Sequence, residues 1–174
     1  MQNILRFKIG ELLDKPLGTS INYTLEGEIE LDELVFKSDL YAKVELMKIE
    51  KAINVAVSDL EIKAQIPCDK CLKEFDFDVN IDFIERQFYF KAPKNEDTRN
   101  IYVADMKRTE VDISEMLRQE INLHFPPVAV CFSHCKGMCP QCGVNKNDQE
   151  CSCVIETEKG LKQNPFAQLR NLLK

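Results

Sequence analysis

Long apolar runs are missing from this sequence. No stretch approaches the roughly 20 consecutive apolar residues that a membrane-spanning helix needs. The first eight residues, MQNILRFK, alternate between polar and apolar and lack the apolar segment of a secretion signal. We therefore expect a protein with no membrane partner that stays in the cytoplasm, or in an organelle matrix if a presequence is missing.

An excess of positive charge is also missing. The 174 residues contain 23 Lys and Arg against 29 Asp and Glu, for a net charge of -6. Residues 1–66 carry 8 basic and 12 acidic side chains, residues 67–130 carry 9 and 13, and residues 131–174 carry 6 and 4. This balance argues against a protein that holds bare nucleic acid through phosphate neutralisation alone. A basic patch can still assemble in the folded chain.

Cysteine, by contrast, is abundant: there are eight, and six of them fall within residues 131–153 with the spacing C-x3-C-x3-C-x2-C-x8-C-x-C. In a protein that is not exported, such cysteines are better explained as metal ligands than as disulfides. At the centre, Cys139-Pro-Gln-Cys142-Gly143 is a knuckle, in which two thiolates bind one ion from a tight turn. Gly143 permits the positive φ that this turn needs. Four thiolates in a tetrahedron are the preferred ligands of structural Zn²⁺.

The six clustered cysteines exceed the four ligands of one zinc ion, so several ligand sets are open. Cys139 and Cys142 form the pair that we predict first. The second pair is Cys131 with Cys135, or Cys151 with Cys153, or one residue from each, and the remaining cysteines are structural thiols. An Fe–S cluster is the alternative occupant, because spacing alone does not exclude it.

A second knuckle, Cys68-Asp-Lys-Cys71, lies between two predicted strands. Three hypotheses compete for it: the second half of a zinc site with Cys139 and Cys142, a redox dithiol, or small residues in a tight hairpin. A redox C-x-x-C normally opens a helix, whose dipole lowers the thiol pKa. The position between strands therefore favours the metal or structural interpretation. A zinc-containing thiol redox or chaperone-like protein is the alternative function.

Catalysis at the metal finds little support in the sequence. Zinc deaminases need H-x-E upstream of P-C-x-x-C, whereas His124 is followed by Phe-Pro and His134 by Cys-Lys. A hydrolase built on either histidine would need an open metal position, which a zinc ion held by four thiolates lacks. We therefore predict a structural metal, no catalytic residues, no small-molecule substrate and no enzymatic activity.

Strand patterns dominate residues 1–103. Alternating apolar residues predict strands at 4–9, 21–31, 40–46, 53–57, 60–66, 75–83 and 101–103. The clearest is 75–83, where Phe75, Phe77, Val79, Ile81 and Phe83 alternate with acidic residues and Asn. The strands on either side of Cys68 and Cys71 predict an antiparallel hairpin whose loop carries both thiols.

One central helix is predicted at 112–124, opened by a capping box of Asp112 and Glu115 and ended by Pro126-Pro127. A polar loop is predicted at 91–100. Asn164-Pro165 starts a short C-terminal helix that either docks on the core or binds a partner groove. The predicted fold is α+β: a β-rich antiparallel sheet or partial barrel with this helix. The predicted segments are a core domain (1–130), a cysteine-rich zinc segment (131–153), and a linker with the C-terminal helix (154–174).

Taken together, these motifs resemble the YceD family of large ribosomal RNA subunit accumulation proteins. Three stretches carry the resemblance: Ile66-Pro-Cys-Asp-Lys-Cys-Leu-Lys-Glu-Phe75, the run from Asp112 through Cys139-Pro-Gln-Cys-Gly-Val-Asn145, and the tail Asn164-Pro-Phe-Ala-Gln-Leu-Arg-Asn-Leu-Leu. The run Cys135-Lys-Gly-Met-Cys-Pro-Gln-Cys-Gly is similar to the motif of the cysteine-rich members, with Met138 where Leu is usual. Residues 1–60 match only in character.

The resemblance implies a role in the accumulation of 23S-type ribosomal RNA and in large-subunit assembly, with no catalytic activity and with zinc supporting the fold. The acidic balance favours contact through a basic ribosomal protein or a processing enzyme. Direct contact with ribosomal RNA would need a basic or aromatic patch.

Overall fold

The structure is a computed structural model, and it describes residues 4–93 and 101–153. The predicted linker and C-terminal helix at 154–174 lie outside the described residues, as does most of the predicted loop at 91–100. Strands dominate the part that is described, as the alternating sequence predicts. The elements in chain order are β1 (Arg6–Lys8), α1 (Gly10–Leu13), β2 (Ser20–Gly27), β3 (Val35–Phe36), β4 (Leu40–Lys48), β5 (Ala52–Pro67), β6 (Glu74–Tyr89), β7 (Tyr102–Val103), β8 (Glu110–Asp112) and α2 (Ser114–His124).

Six strands form the main sheet: five in the order β2-β4-β5-β6-β7, and β3, which pairs with β5. The fifteen residue pairs between β5 and β6 make the longest ladder, and β4 and β3 share the opposite edge of β5. The pairs are antiparallel except β6 with β7, which is parallel. A separate two-stranded sheet joins β1 to β8. Over the described residues the sheet does not close into a barrel. The sheet-rich α+β prediction is therefore confirmed, with an open sheet.

The core lies on one face of the main sheet. Along β5 and again along β6, the residues that face it change from odd-numbered to even-numbered. Residues of odd number are buried in the first half of β5, and even-numbered residues from Leu60 onward. The switch occurs at Asp59, whose φ is 52°, where the register with β4 shifts. A bulge of this kind adds one residue to a strand and reverses which side chains face the core. On β6 the same reversal follows Ile81, which is opposite Leu60.

Helix α2 contributes to the same core. Met116, Leu117 and Ile121 are fully buried on one side, at the spacing of an amphipathic helix. Polar contacts also join α2 to the main sheet. Arg86 of β6 forms an ion pair with Glu120, and the Tyr102 hydroxyl donates to the Gln119 side-chain oxygen over 2.6 Å. The predicted central helix therefore has its predicted role, packed against β6.

Four details of the sequence prediction are wrong. The strands predicted at 53–57 and 60–66 are one strand, because the bulge at Asp59 bends the chain without ending the ladder. Phe83 is 60% exposed and does not share the face of Ile81, for the same reason. The capping box does not form: α2 begins at Ser114, and Glu115 bonds Arg118 and Gln119. Elements α1, β3 and β8 were not predicted; each spans four residues or fewer, too short for a periodic pattern.

The chain divides into two compact units. Unit 1 comprises Met1–Pro67 and Glu74–Ala129 and contains every strand and helix named above. Unit 2 comprises Cys68–Lys73 and Val130–Lys174, so the loop between β5 and β6 belongs with the cysteine-rich segment. The predicted division at residue 130 stays a prediction, because compactness alone does not define folding domains.

Candidate metal centre

The loop between β5 and β6 holds two thiols in a fixed turn. Pairing of Pro67 with Glu74 closes the ladder, which leaves six residues for the loop. Within it the Leu72 N–H donates to the Cys68 carbonyl (2.8 Å), and the Cys68 N–H donates to the Lys73 carbonyl (3.0 Å). Cys68 and Cys71 are 0% and 5% exposed. The predicted hairpin with both thiols in its loop is confirmed.

Two further thiols meet this pair and complete the hairpin cluster, defined as Cys68, Cys71, Cys131 and Cys135. The four Sγ atoms all lie within 4.8 Å of one another. Cys68 and Cys135 are 3.9 Å apart at sulfur, and Cys71 and Cys131 are 3.7 Å apart. Sulfurs held about 2.3 Å from a zinc ion at the corners of a tetrahedron are about 3.8 Å apart. A disulfide would bring the sulfurs to about 2.05 Å, so the separations fit a shared ion and not a covalent bond.

The remaining four thiols form the knuckle cluster, defined as Cys139, Cys142, Cys151 and Cys153, whose Sγ atoms also lie within 4.8 Å of one another. The Gly143 N–H donates to the Cys139 carbonyl (2.9 Å), and the Cys139 N–H donates to the Val144 carbonyl (2.8 Å). Gly143 has a φ of 72°, as the predicted turn requires. The bridge between Met138 and Asn145 closes this miniature hairpin.

Negative charge in the hairpin cluster is distributed unevenly among the four sulfurs. Burial acts to raise the pKa of the Cys68 thiol, but N–H donors from Cys131, Cys71 and Lys70 outweigh it and lower that pKa to about 6. Burial and hydrogen bonding to Cys68 raise the pKa of Cys131 to about 12. One thiolate is thus stabilised beside a thiol that keeps its proton. A dication bound among them would relieve the repulsion and displace the remaining protons.

The knuckle cluster repeats this arrangement. Backbone N–H groups of Cys142 and Gln141 point at the Cys139 sulfur and, against burial, lower its pKa to about 6. Hydrogen bonding to Cys142, together with burial, raises the pKa of Cys153 to about 12. Amides aimed at a sulfur are the usual surroundings of a knuckle thiolate, since they offset its negative charge.

Four contacts tie the segments of unit 2 together. The Met138 N–H donates to the Lys70 carbonyl over 2.8 Å, and Gly137, with a φ of 71°, lies against the same carbonyl. The Asn147 side-chain amide donates to the Cys135 sulfur (3.3 Å), and its oxygen accepts the Lys136 N–H (2.8 Å). Asn147 lies between Cys142 and Cys151, so it links the knuckle segment to the hairpin cluster. Sequence reasoning missed Asn147, because nothing in its spacing marks it.

In the described part of unit 2, the buried side chains are those of cysteines. Among its described residues, the side chains that are less than 9% exposed are Cys68, Cys71, Cys135 and Cys139, and Gly137 is the other buried residue. Leu72 and Phe132, its large apolar side chains near the hairpin cluster, are 66% and 49% exposed. Apolar burial therefore contributes little to holding the described part of unit 2 together.

The structure brings together all the cysteines named from the sequence, but in two groups. Cys139 and Cys142 stand together as predicted, with Cys151 and Cys153, one of the open second pairs. Cys131 and Cys135 instead join Cys68 and Cys71. His134 is exposed and belongs to neither cluster, and the His124 ring contacts the Glu120 carbonyl in the last turn of α2. The ligand set itself stays a prediction.

In the described residues no helix has the length and apolar character needed to cross a membrane.

The architecture and the thiols define a class: a sheet-rich α+β protein whose β-hairpin loop and cysteine-rich segment assemble two groups of four thiols. The family model described as "Large ribosomal RNA subunit accumulation protein YceD" matches residues 57–173. The chain belongs to the YceD family. The matched region includes β5 from residue 57 onward, β6, α2 and both clusters, and so confirms the resemblance drawn from the sequence.

Two curated relatives match over shorter stretches. The chain is 43% identical over 61 residues to the Large ribosomal RNA subunit accumulation protein YCED homolog 1, chloroplastic, of Arabidopsis thaliana, which covers 35% of this chain and 19% of the relative. It is 42% identical over 53 residues to the protein of the same name in Zea mays, covering 30% of this chain and 18% of the relative. The chain thus spans less than a fifth of the length of either relative. No solved structure gives a significant match.

Proposed function

We propose that the protein is a non-enzymatic factor that supports the accumulation of large-subunit ribosomal RNA and the assembly of the large ribosomal subunit. The observation that carries the proposal is the family match over residues 57–173, together with relatives named for large ribosomal RNA subunit accumulation. Its partner is ribosomal RNA, or a ribosome-assembly or processing protein. We place its action in the cytoplasm, where thiols stay reduced.

The thiol clusters support a structural and not a catalytic role for zinc. A zinc ion with four thiolate ligands has no open position for water or substrate, so it can neither polarise a substrate nor generate a nucleophile. Cys139 and Cys142 are the ligands that we propose first. In this role the ion orders unit 2 as a surface for a partner, since cysteine side chains are the ones buried in the described part of that unit.

The charge of the chain bears on the partner. Net charge is -6, and each zinc ion with four thiolates adds a centre of charge -2. Contact with a basic ribosomal protein or processing enzyme is therefore electrostatically easier than contact with bare RNA.

Deletion of the gene tests the proposal. We expect a lowered ratio of 23S-type to 16S-type ribosomal RNA and a deficit of large subunits on sucrose gradients, both restored by the wild-type chain. A variant with Cys139 and Cys142 changed to Ser should restore neither, although it is produced. An unchanged ratio in the deletion strain would refute the proposed function.

The redox alternative rests on one observation, the lowered pKa of Cys68, which is typical of reactive thiols. Reactive thiols are also accessible, whereas Cys68 is 0% exposed and Cys71 is 5% exposed. A reversible disulfide between these two residues, detected by peptide mapping after mild oxidation of the zinc-loaded chain, would favour that alternative.

A further inference from the structure

We propose that the chain binds two zinc ions, one in the hairpin cluster and one in the knuckle cluster, and that the hairpin ion exchanges much more slowly. The sequence alone suggests one ion among residues 131–153. The eight sulfurs instead divide into two sets of four with no member in common. The experiments below measure bound metal or the reactivity of thiols. Their outcome therefore tests this inference separately from the role in ribosomal RNA accumulation.

The donor chemistry of each set fits a closed zinc site. Both consist of four cysteines, and two sulfur separations in the hairpin cluster, 3.9 and 3.7 Å, fit a zinc–thiolate tetrahedron. N–H donors reach the sulfurs, including the Cys131 N–H on Cys68 (3.4 Å) and the Asn147 amide on Cys135 (3.3 Å). Such donors stabilise the net charge of -2 that four thiolates leave around Zn²⁺.

The two clusters differ in how the chain holds their ligands. The hairpin cluster joins positions about 60 residues apart in sequence, one pair fixed in the loop between the two longest strands. Its ion can leave only when two separate segments part. The knuckle cluster takes all four ligands from one segment of 15 residues, 139–153. That segment can release one thiolate at a time without separating from another part of the chain.

The clusters also differ in access. Cys68, Cys71 and Cys135 are buried and Cys131 is half-buried, whereas in the knuckle cluster only Cys139 is buried and Cys142 is exposed. Exchange of a thiolate-bound metal begins when a competing ligand reaches the site. Cys142 gives that competitor an entry which the hairpin cluster does not offer. Loss of the groups that hydrogen-bond to metal ligands typically lowers metal affinity by about 10- to 100-fold, and we expect a difference in release rate of that order.

The first experiment counts the metal. The full chain is purified under reducing conditions with zinc present, and zinc is measured by elemental analysis and by native mass spectrometry; two ions per chain are expected. One ion per chain, no metal, or iron with sulfide would overturn the inference.

Paired variants then assign the ions. Cys71→Ser with Cys131→Ser should retain one ion, and Cys142→Ser with Cys153→Ser should also retain one. Ser133→Ala and Ser152→Ala, which lie beside the ligands in sequence, are the matched controls and should retain two. Loss of both ions in the knuckle variant while it stays folded would overturn the division into independent sites.

A measurement on the unaltered chain keeps the inference testable if a variant fails to fold. A chelator is added together with a thiol-alkylating reagent, and the modified cysteines are mapped over time. Zinc should leave in two phases of equal amplitude, with cysteines 139–153 alkylated in the fast phase and the hairpin cluster in the slow one. A single phase, or earlier alkylation of Cys68 and Cys71, would overturn the proposed order.

Discussion

Gly137 lies where the cysteine-rich segment runs against the backbone of the hairpin loop. Its φ is 71°, and a Cβ built on it would lie 2.9 Å from the Lys70 carbonyl oxygen. That distance is shorter than a carbon–oxygen contact allows, and the obstacle is backbone that cannot rotate away. The neighbouring Met138 N–H donates to the same carbonyl, so a shift there also costs a hydrogen bond.

We therefore expect Gly137→Ala to loosen unit 2. The change adds the left-handed backbone penalty of about 1–2 kcal/mol for a residue with a Cβ and the steric clash with Lys70. Zinc release from the hairpin cluster to a chelator should become at least about tenfold faster, since 1.4 kcal/mol corresponds to a factor of ten.

Gly143→Ala is the matched control. Its φ of 72° gives the same backbone penalty, but its added Cβ would meet only the Met138 Cε atom, at 4.0 Å. Hairpin-cluster release should therefore change less in Gly143→Ala than in Gly137→Ala. Equal effects of the two changes would show that backbone strain alone, and not the contact with Lys70, is responsible.

Asp112 is one of the carboxylates through which pH acts on unit 1. Its carboxylate accepts the Arg6 Nε–H (2.7 Å) and the Ser114 N–H (3.0 Å), so it joins β1 to the start of α2. Burial acts to raise its pKa, but the hydrogen bonds from Ser114 and Arg6 outweigh it and lower the pKa below its usual value. A lowered folded-state pKa means that ionised Asp112 stabilises the fold.

The pH dependence follows from that direction. The stabilisation is fully present above pH about 4, where Asp also ionises in the unfolded chain, and is lost as pH falls through the lower folded-state pKa. Asp112→Asn should lower the free energy of unfolding by about 1 kcal/mol at pH 7, a figure reduced for partial exposure, and by progressively less under acid. Urea titrations at several pH values measure this. Asp82→Asn, at an exposed position on β6, is the control, and a pH-independent difference for Asp112→Asn would contradict the prediction.

Helix α2 shows how one element divides between core and solvent. Leu117 is 0% exposed in the core, while Leu123, in the last turn of the same helix, is 75% exposed. The same chemical change at the two positions therefore separates burial from helix propensity.

We expect Leu117→Ala to lower the free energy of unfolding by about 2–5 kcal/mol, because it removes buried methyl groups and leaves a cavity. Leu123→Ala should stay within about 0.5 kcal/mol of the wild type. Urea denaturation followed by circular dichroism measures both. A loss at Leu123 comparable to that at Leu117 would mean that the exposed side chain is covered by something else.

At the scale of strands and helices, much of the fold can be predicted from the sequence. Alternation locates β4 and β6, because one buried face imposes a period of two. The amphipathic spacing of Met116, Leu117 and Ile121 locates α2. The bulge at Asp59 cannot be read in advance, since a parity switch in β5 has the same local pattern as two strands separated by a turn. The short strand β8 forms because β1 pairs with it, which is a tertiary effect.

The sequence identifies the cysteine motifs of the candidate site, but it does not determine which cysteines come together. The C-x2-C-G run marks the knuckle, and the alternation on either side of Cys68 and Cys71 marks their hairpin. Which cysteines meet depends on the path of the chain between β6 and Cys131, and no local spacing encodes that path. The signal in the sequence is the second knuckle itself. Cys68 and Cys71 supply only two of the four ligands that a zinc site needs, so two more cysteines must join them.

At the scale of the whole molecule, the interiors of the two units differ in composition. Unit 1 has a continuous apolar core contributed by the main sheet, the small sheet and both helices. The described part of unit 2 has sulfur and Gly137 in its interior. Binding of structural zinc provides about 10–16 kcal/mol of apparent free energy in peptides that fold around the metal, and we expect it to be the main source of order in unit 2.

Removal of metal should therefore affect the units unequally. Under reducing conditions with excess chelator, amide resonances of residues 68–73 and 130–153 should lose their dispersion, while those of unit 1 keep theirs. A proton–nitrogen correlation spectrum recorded before and after chelation measures this, and restoring zinc should recover the original spectrum. Retention of dispersed signals across 130–153 without metal would contradict the prediction.

The distance along the chain between the two halves of the hairpin cluster has a consequence for synthesis. Cys71 and Cys131 are 60 positions apart, so at about 5–20 residues per second the hairpin thiols emerge about 3–12 s before their partners. During that interval the nascent chain presents an incomplete pair of soft ligands to the cell. Its yield should then depend on how much free zinc, and how little oxidant, the chain meets while the residues between Cys71 and Cys131 are still being translated.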